Sequence, residues 1–235
     1  MELSPDNVIL WEAPGFVINA TLVYSWTVML LLAVGCRLIT RNLVINGPRP
    51  KWQNVLEILV EGIRDTIAEI WPAAPERFVP FVGTLFLFIS VSSLLDVVPG
   101  FTAPTTSLST TAALAACVFL AVPFYGIVYK GLRAYLAEYL KPSWFMFPFH
   151  VIGELSRTVA LAVRLFGNMM SGAVLVGVLL IIAPLFFPVL VHILGLLVGQ
   201  IQAYIFAVLA MVYLASAAQS HDSVADSSKG EETNG

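Results

Sequence analysis

One helical stripe holds most of the chemistry this sequence can offer. His150, Glu154, Arg157, Leu161, Arg164 and Asn168 follow one another at spacings of 4, 3, 4, 3 and 4, so they share a face of one helix, and five of the six are polar. From Leu165 to His221 there is no Asp, Glu, Lys or Arg. A fixed cation at the edge of such a stretch needs a reason to be there. A charge at the bilayer centre costs between about 2.5 and about 17 kcal/mol, depending on how far it snorkels and draws in water. Arginine cannot escape that cost by losing its proton. The Arg164 guanidinium must therefore meet water, a carboxylate or carbonyl oxygens, and a stripe of this kind lines water or faces a charged partner, because lipid leaves polar groups unsatisfied.

Simpler roles stand beside these for several members. Glu154 and Arg157 are spaced for a plain i, i+3 ion pair near a membrane surface. That reading does not reach Arg164, which lies about 10 Å deeper along the axis with no carboxylate after it. Asn168 fits an interhelical hydrogen bond as well as a channel lining. Further on, His192, Gly195, Gly199, Gln202 and Phe206 share a second face at spacings of 3, 4, 3 and 4. Gly195 and Gly199 fit close helix packing. His192 reads equally as a hydrogen-bonded interior histidine or as a proton relay. Asp96, just before Pro99, is either a functional acid or a carboxylate at the water boundary.

The elements that must position these residues are membrane helices. Hydrophobic residues make up 58% of the 235 and charged ones 11%, against about 25% charged in soluble domains. Apolar runs cover residues 16–36, 78–98 and 110–129; a fourth runs from 149 to a turn at 184–188, and a fifth covers 189–216. Each is near the roughly 20 residues that cross a bilayer or longer. Arg37, Arg41, Arg49 and Lys51 follow the first run, and Lys130, Arg133 and Lys141 follow the third, while the loop at 99–109 is uncharged. The positive-inside rule then sets the N-terminus outside and the C-terminus in the cytoplasm. The expected fold is an all-α integral membrane protein with five spans, the last two helices being long.

Between the first two spans, Leu56, Leu59, Val60, Ile63, Ile67 and Ile70 recur at helical spacing opposite Glu57, Glu61, Arg64 and Asp65. This predicts an amphipathic helix over 54–71 on the cytoplasmic surface, as a brace or a docking face. The domain plan is an external segment at 1–15, one membrane domain at 16–216 and a polar, solvated tail at 217–235. The first 20 residues carry Glu2, Asp6 and Glu12 but no Lys or Arg, the wrong charge for a cleaved signal. Cys36 and Cys117 give no disulfide framework or metal spacing and are expected to be packing residues. No cofactor or metal is expected, and no nucleic-acid partner.

The run RLFGNMMSG from Arg164, with QAYIFAVLAMVYL from Gln202, resembles subunit a of the F-type rotary ATP synthases. LLDVVP around Asp96 and the loop TAPTTSLST extend the similarity over residues 54–217. LSPDNVILW and WQNVLE also resemble the N-type branch of that family. The resemblance implies a stator in the inner (cytoplasmic) membrane, forming two offset half-channels against a rotating ring of c subunits. It also implies b-type peripheral-stalk subunits, surrounding lipid and a soluble sector where ATP chemistry occurs, so this chain would itself be non-catalytic. Arg164 then corresponds to the family's essential arginine, Asn168 to the polar residue one turn along and Gln202 to the glutamine on the facing helix, with the last two helices tilted against the ring.

The sequence departs from that pattern in one place. Many members carry a Glu and a His, in either order, nine residues after the arginine and seven before the glutamine; here these positions are Ala173 and Gly195. His192 or Asp96 could take over the relay, or the route could be simply wet, which suits sodium as well as protons. His150 also stands where a Glu is common, with Glu154 one turn nearer the arginine. The competing class is a small secondary transporter or channel, but such proteins usually show repeated halves, and none is visible. A membrane enzyme would need a nucleophile with its base or a metal-spaced set, and neither occurs.

Overall fold

The structure, a computed structural model, describes residues 9–13, 16–41, 51–72, 74–98, 101–133, 147–182 and 187–219. The basic residues Arg49 and Lys141, most of the turn at 184–188 and the tail beyond 219 lie outside the described residues.

The described chain begins with a hairpin rather than a helix. Strand β1 (Ile9–Ala13) pairs antiparallel with β2 (Phe16–Asn19), matching Trp11 with Ile18 and Ala13 with Phe16. The first span was expected to start at 16, and no strand was expected. Val17 and Ile18 are β-branched and favour extended backbone, and Asn19 is itself extended, with φ −82° and ψ 154°. Helix α1 (Ala20–Thr40) therefore starts after the strand. Its 21 residues span about 31 Å, matching a hydrocarbon core. Ala20, Thr21, Ser25 and Val28 form its buried side, while Trp26 and Leu30 are about two-thirds exposed. That surface suits lipid. Thr27 and Thr40 donate their hydroxyls to carbonyls four residues back, which satisfies them without water.

Helix α2 (Lys51–Ile70) is the expected amphipathic element, three residues longer at its start. Ile67 is buried against the rest of the molecule, Trp52, Val55 and Ile58 are exposed, and the charged face lies to the other side. Arg64 reaches Glu76 at 3.1 Å, but both are exposed; such pairs add little stability. Beyond a short turn at Pro75–Arg77, Pro80 in the first turn opens helix α3 (Val79–Leu95). Its 17 residues reach only about 25 Å. Among the described residues, four helices are long and apolar enough to cross a membrane, and α3 is a shorter apolar helix packed chiefly on the last one.

The segment after α3 folds inward. Ala103 N–H donates to Asp96 Oδ1 at 3.0 Å, and the turn Pro104–Thr106 is buried between neighbouring helices. Irregular backbone is tolerated at membrane depth only when protein encloses it in this way. Ser107 then caps α4 (Leu108–Lys130), accepting from Ser109 N–H at 3.2 Å. Gly131, at φ 83°, lets the chain turn away after Lys130. Cys117 on α4 is exposed and not packed as expected, so it faces outward with its apolar neighbours. Cys36 is half-buried.

Helices α5 (Phe147–Ile182) and α6 (Phe187–Gln219) have 36 and 33 residues, about 54 and 50 Å. Both exceed a 30 Å hydrocarbon core, so each must tilt, bend or project beyond it. The expected tail is helical through Gln219. The core gathers around α6, where Ala203, Ala207, Ala210, Ala215 and Ala218 let backbones approach and Phe206, Met211 and Leu214 fill the gaps. Small residues serve this role in lipid, where helices gain no hydrophobic advantage from meeting one another. At one end Trp71, Phe78, Tyr125 and Tyr129 form an aromatic cluster, with the Phe78 and Tyr129 rings stacked at 5.7 Å and the Arg77 guanidinium 5.5 Å from the Tyr129 centroid.

Candidate functional site on the last two helices

Helices α5 and α6, joined through residues 183–186 and packed along each other, form a hairpin bridged by a polar pair. Asn168 Nδ2 donates to Gln202 Oε1 at 3.3 Å. Gln202 is 4% exposed, and its own Nε2 is buried without a partner among the described residues. Exchanging the amide's O and N leaves an orphan oxygen in place of the orphan nitrogen, so one further polar group or water belongs there under either assignment.

One turn before Asn168, Arg164 has the opposite surroundings. Leu161 and Leu165 beside it are 2% and 0% exposed, yet Arg164 itself points out of the chain. It makes no hydrogen bond or ion pair with any described residue. Most of α5 on that side is bare, and Gly153, Ser156, Ala160, Gly167 and Ser171 are all exposed there. The chain thus presents a permanent cation amid small side chains.

Two polar clusters flank this centre. Glu154 stands ten residues before Arg164, and His192 ten before Gln202. Each is about 15 Å away along its axis, and because the helices form a hairpin the displacements are opposite.

In the cluster near the hairpin turn, His192 Nε2 lies 2.9 Å from the backbone carbonyl of Asp96. A carbonyl only accepts, so Nε2 carries the proton and Nδ1 is left as the acceptor of the neutral ring. The Asp96 carboxylate is turned to Ala103 N–H. Two residues that the sequence offered as separate relay candidates therefore meet, through the Asp96 backbone. Nearby, Thr105 Oγ1 is buried with no partner among the described residues.

At the other end, Phe149, His150, Gly153, Glu154 and Arg157 line a cavity of about 240 Å³. The Arg157 guanidinium lies 5.7 Å from the Tyr213 ring centroid, a cation–π contact. The six-member stripe divides accordingly. His150, Glu154 and Arg157 share the cavity, Leu161 enters the core, and Arg164 and Asn168 take opposite sides of the helix edge.

Sequence reasoning missed the contact of α3 with α6. Ser90 Oγ donates to Gln200 Oε1, and Gln200 Nε2 donates to the Ser90 carbonyl at 3.0 Å. One turn along, a β-carbon on Gly199 would overlap the Ser93 hydroxyl and come within 3.4 Å of Met169 on α5. Nothing crowds Gly195 within 4 Å. Of the two glycines read as packing residues, only Gly199 lies at a close approach. The signal was present: Ser90, Ser93 and Asp96 recur every third residue along α3.

The profile of the family described as ATP synthase A chain matches residues 22–215. The chain belongs to that family. Similar proteins include "ATP synthase subunit a 2" of Acaryochloris marina, 56% identical over 93% of this chain and 94% of the relative. "ATP synthase subunit a" of Albidiferax ferrireducens is 54% identical over 92% and 94% respectively. "ATP synthase subunit a 1" of Chlorobaculum parvum is 53% identical over 94% and 98%. The matched region takes in both polar clusters, Arg164 and the Asn168–Gln202 pair. This chain is thus an ATP synthase subunit a homologue, a membrane subunit of a rotary ATP synthase. Of the two positions at which it departs from the expected relay, Ala173 is half-buried and Gly195 is exposed.

Proposed function

We propose that the chain is the ion-translocating stator of the membrane sector, with Arg164 facing a ring of c subunits between two offset half-channels. The observation that carries this reading is a cation with no partner among the described residues, presented on an uncovered helix face between two polar clusters. A rotor carboxylate crosses lipid as a neutral, ion-loaded group. On meeting Arg164 its charged form is favoured and its pKa falls, which releases the ion into one half-channel. Arg164 keeps its own charge and repels cations, so they cannot pass directly between the channels. Flow then requires rotation. Each elementary charge moved through 100 mV supplies about 2.3 kcal/mol, and the ring adds such steps into torque while ATP chemistry proceeds on the soluble sector.

In this arrangement Asp96 and His192 line the outer route, and His150 and Glu154 the cytoplasmic one. Asn168 and Gln202 flank the arginine. The transported ion is a proton or sodium; with Ala173 and Gly195 in place of the usual relay, either suits a hydrated route. The chain sits in the inner membrane with α3 as a fifth, short crossing, its N-terminus outside and its C-terminus in the cytoplasm. Helix α2 lies on the cytoplasmic surface, peripheral-stalk subunits brace the assembly, and the N-terminal segments favour the N-type branch.

The experiment is Arg164→Ala in the assembled complex. The expected outcome is loss of ion-driven ATP synthesis together with a passive leak through the membrane sector; normal coupling in that variant would overturn the proposal. Repeating ATP-driven uptake with and without sodium distinguishes the two ions.

A further inference from the structure

Three consecutive contacts on α6 point in different directions. Gly199 is wedged between Ser93 of α3 and Met169 of α5. Gln200 turns to α3, where both ends of its amide are engaged by Ser90. Gln202 turns to α5 and meets Asn168. At 3.6 residues per turn each step rotates by about 100°, so Gln200 and Gln202 lie on nearly opposite sides of the helix with the glycine between them. A rotation of α6 by one residue would carry Gln202 away from Asn168.

We infer that the Ser90–Gln200 pair, with the close seat at Gly199, is a rotational lock that keeps Gln202 facing Asn168 beside Arg164. Ser90 and Gln200 act as positioning residues and do not touch the ion. The apolar α6 contacts around it do not supply this function, because alanines and aliphatic groups pack against a neighbour over a range of rotations, and the other polar bond from α6 to α3, His192 to the Asp96 carbonyl, lies about two turns away. A hydroxyl and an amide satisfied at both ends tolerate one rotation only, and in an apolar setting the loss of that match strands polar groups. The inference rests on the proposed role of Gln202 for its functional consequence. Its structural content can be tested separately.

The test uses the assembled complex in membranes, with Cys36→Ser and Cys117→Ser as background. Asn168→Cys and Gln202→Cys report the facing of α5 and α6 through the rate at which a short methanethiosulfonate linker joins them. Gln200→Leu should slow that cross-linking about three- to tenfold, the scale of an interhelical polar contact. In the native Asn168 and Gln202 background, the same change should lower ATP-driven pumping while c-ring co-purification persists. The exchange Ser90→Gln with Gln200→Ser keeps a hydroxyl facing an amide and should restore part of each, whereas no recovery beyond Gln200→Leu would count against the pairing. If Gln200→Leu does not assemble, Ser90→Ala, which removes only the hydroxyl, should slow the cross-link by a smaller factor. Unchanged cross-linking in whichever of these variants assembles would overturn the lock. Normal pumping by Arg164→Ala would instead sink the ion-path reading and leave the cross-link result intact.

Discussion

Asn168 and Gln202 meet across the last two helices at 3.3 Å, one turn from a guanidinium that no described residue neutralises. The pair is a neutral bridge next to a bare charge, and the two should fail differently. Gln202→Leu removes the bridge and leaves the charge. Polar contacts between membrane helices average about 0.6 kcal/mol and reach about 1.7. Coupled ATP synthesis should therefore fall several-fold and remain measurable, with no passive leak. A loss as complete as that of Arg164→Ala, measured in the same vesicles, would contradict this ranking.

The two glycines of α6 predict opposite outcomes from similar changes. Gly199→Ala drives a methyl into Ser93, and overpacking of this kind costs about 1–3 kcal/mol. Gly195→His meets open space. Measured by the yield of complex and its thermal stability in detergent, Gly199→Ala should be the damaging substitution and Gly195→His the tolerated one. The reverse order would contradict the helix contacts described above.

His192 holds the Asp96 carbonyl through Nε2. His192→Ala removes that link between α6 and the C-terminal end of α3, whereas His192→Gln keeps an N–H donor at a similar reach. The alanine variant should weaken both stability and transport, by about 0.6 kcal/mol and no more than about 1.7 kcal/mol for a single contact of this type, and glutamine should recover part of each. Equal loss in the two variants, read from melting and from ATP-driven pumping, would show that the bond to Asp96 is not what His192 supplies.

Much of the fold was legible because hydropathy over 20 residues is a coarse signal that tertiary contacts rarely reverse. The long spans and the amphipathic helix followed from it, and Arg164 stood out by charge alone. The hairpin at Phe16–Asn19 did not, since an apolar run says nothing about whether its first residues are strand or helix. The length of α3 was also overestimated, because Phe78, Val97 and Val98 are apolar enough to extend the run without being helical. Asp96 and His192 were visible singly, but their meeting depends on the path of the chain between α3 and α4. Ser90 was overlooked because a serine in a membrane helix commonly bonds its own backbone, as Ser92 does with Phe88.

The uncovered side of α5 has a consequence for the bilayer around it. A chain inserted ahead of its partner would expose the Arg164 cation to acyl chains along with small side chains that have no helix to seat. Water would be drawn in around the guanidinium, thinning the bilayer locally and leaving the ion barrier open. A partner that covers α5 would therefore close the barrier as well as complete the site.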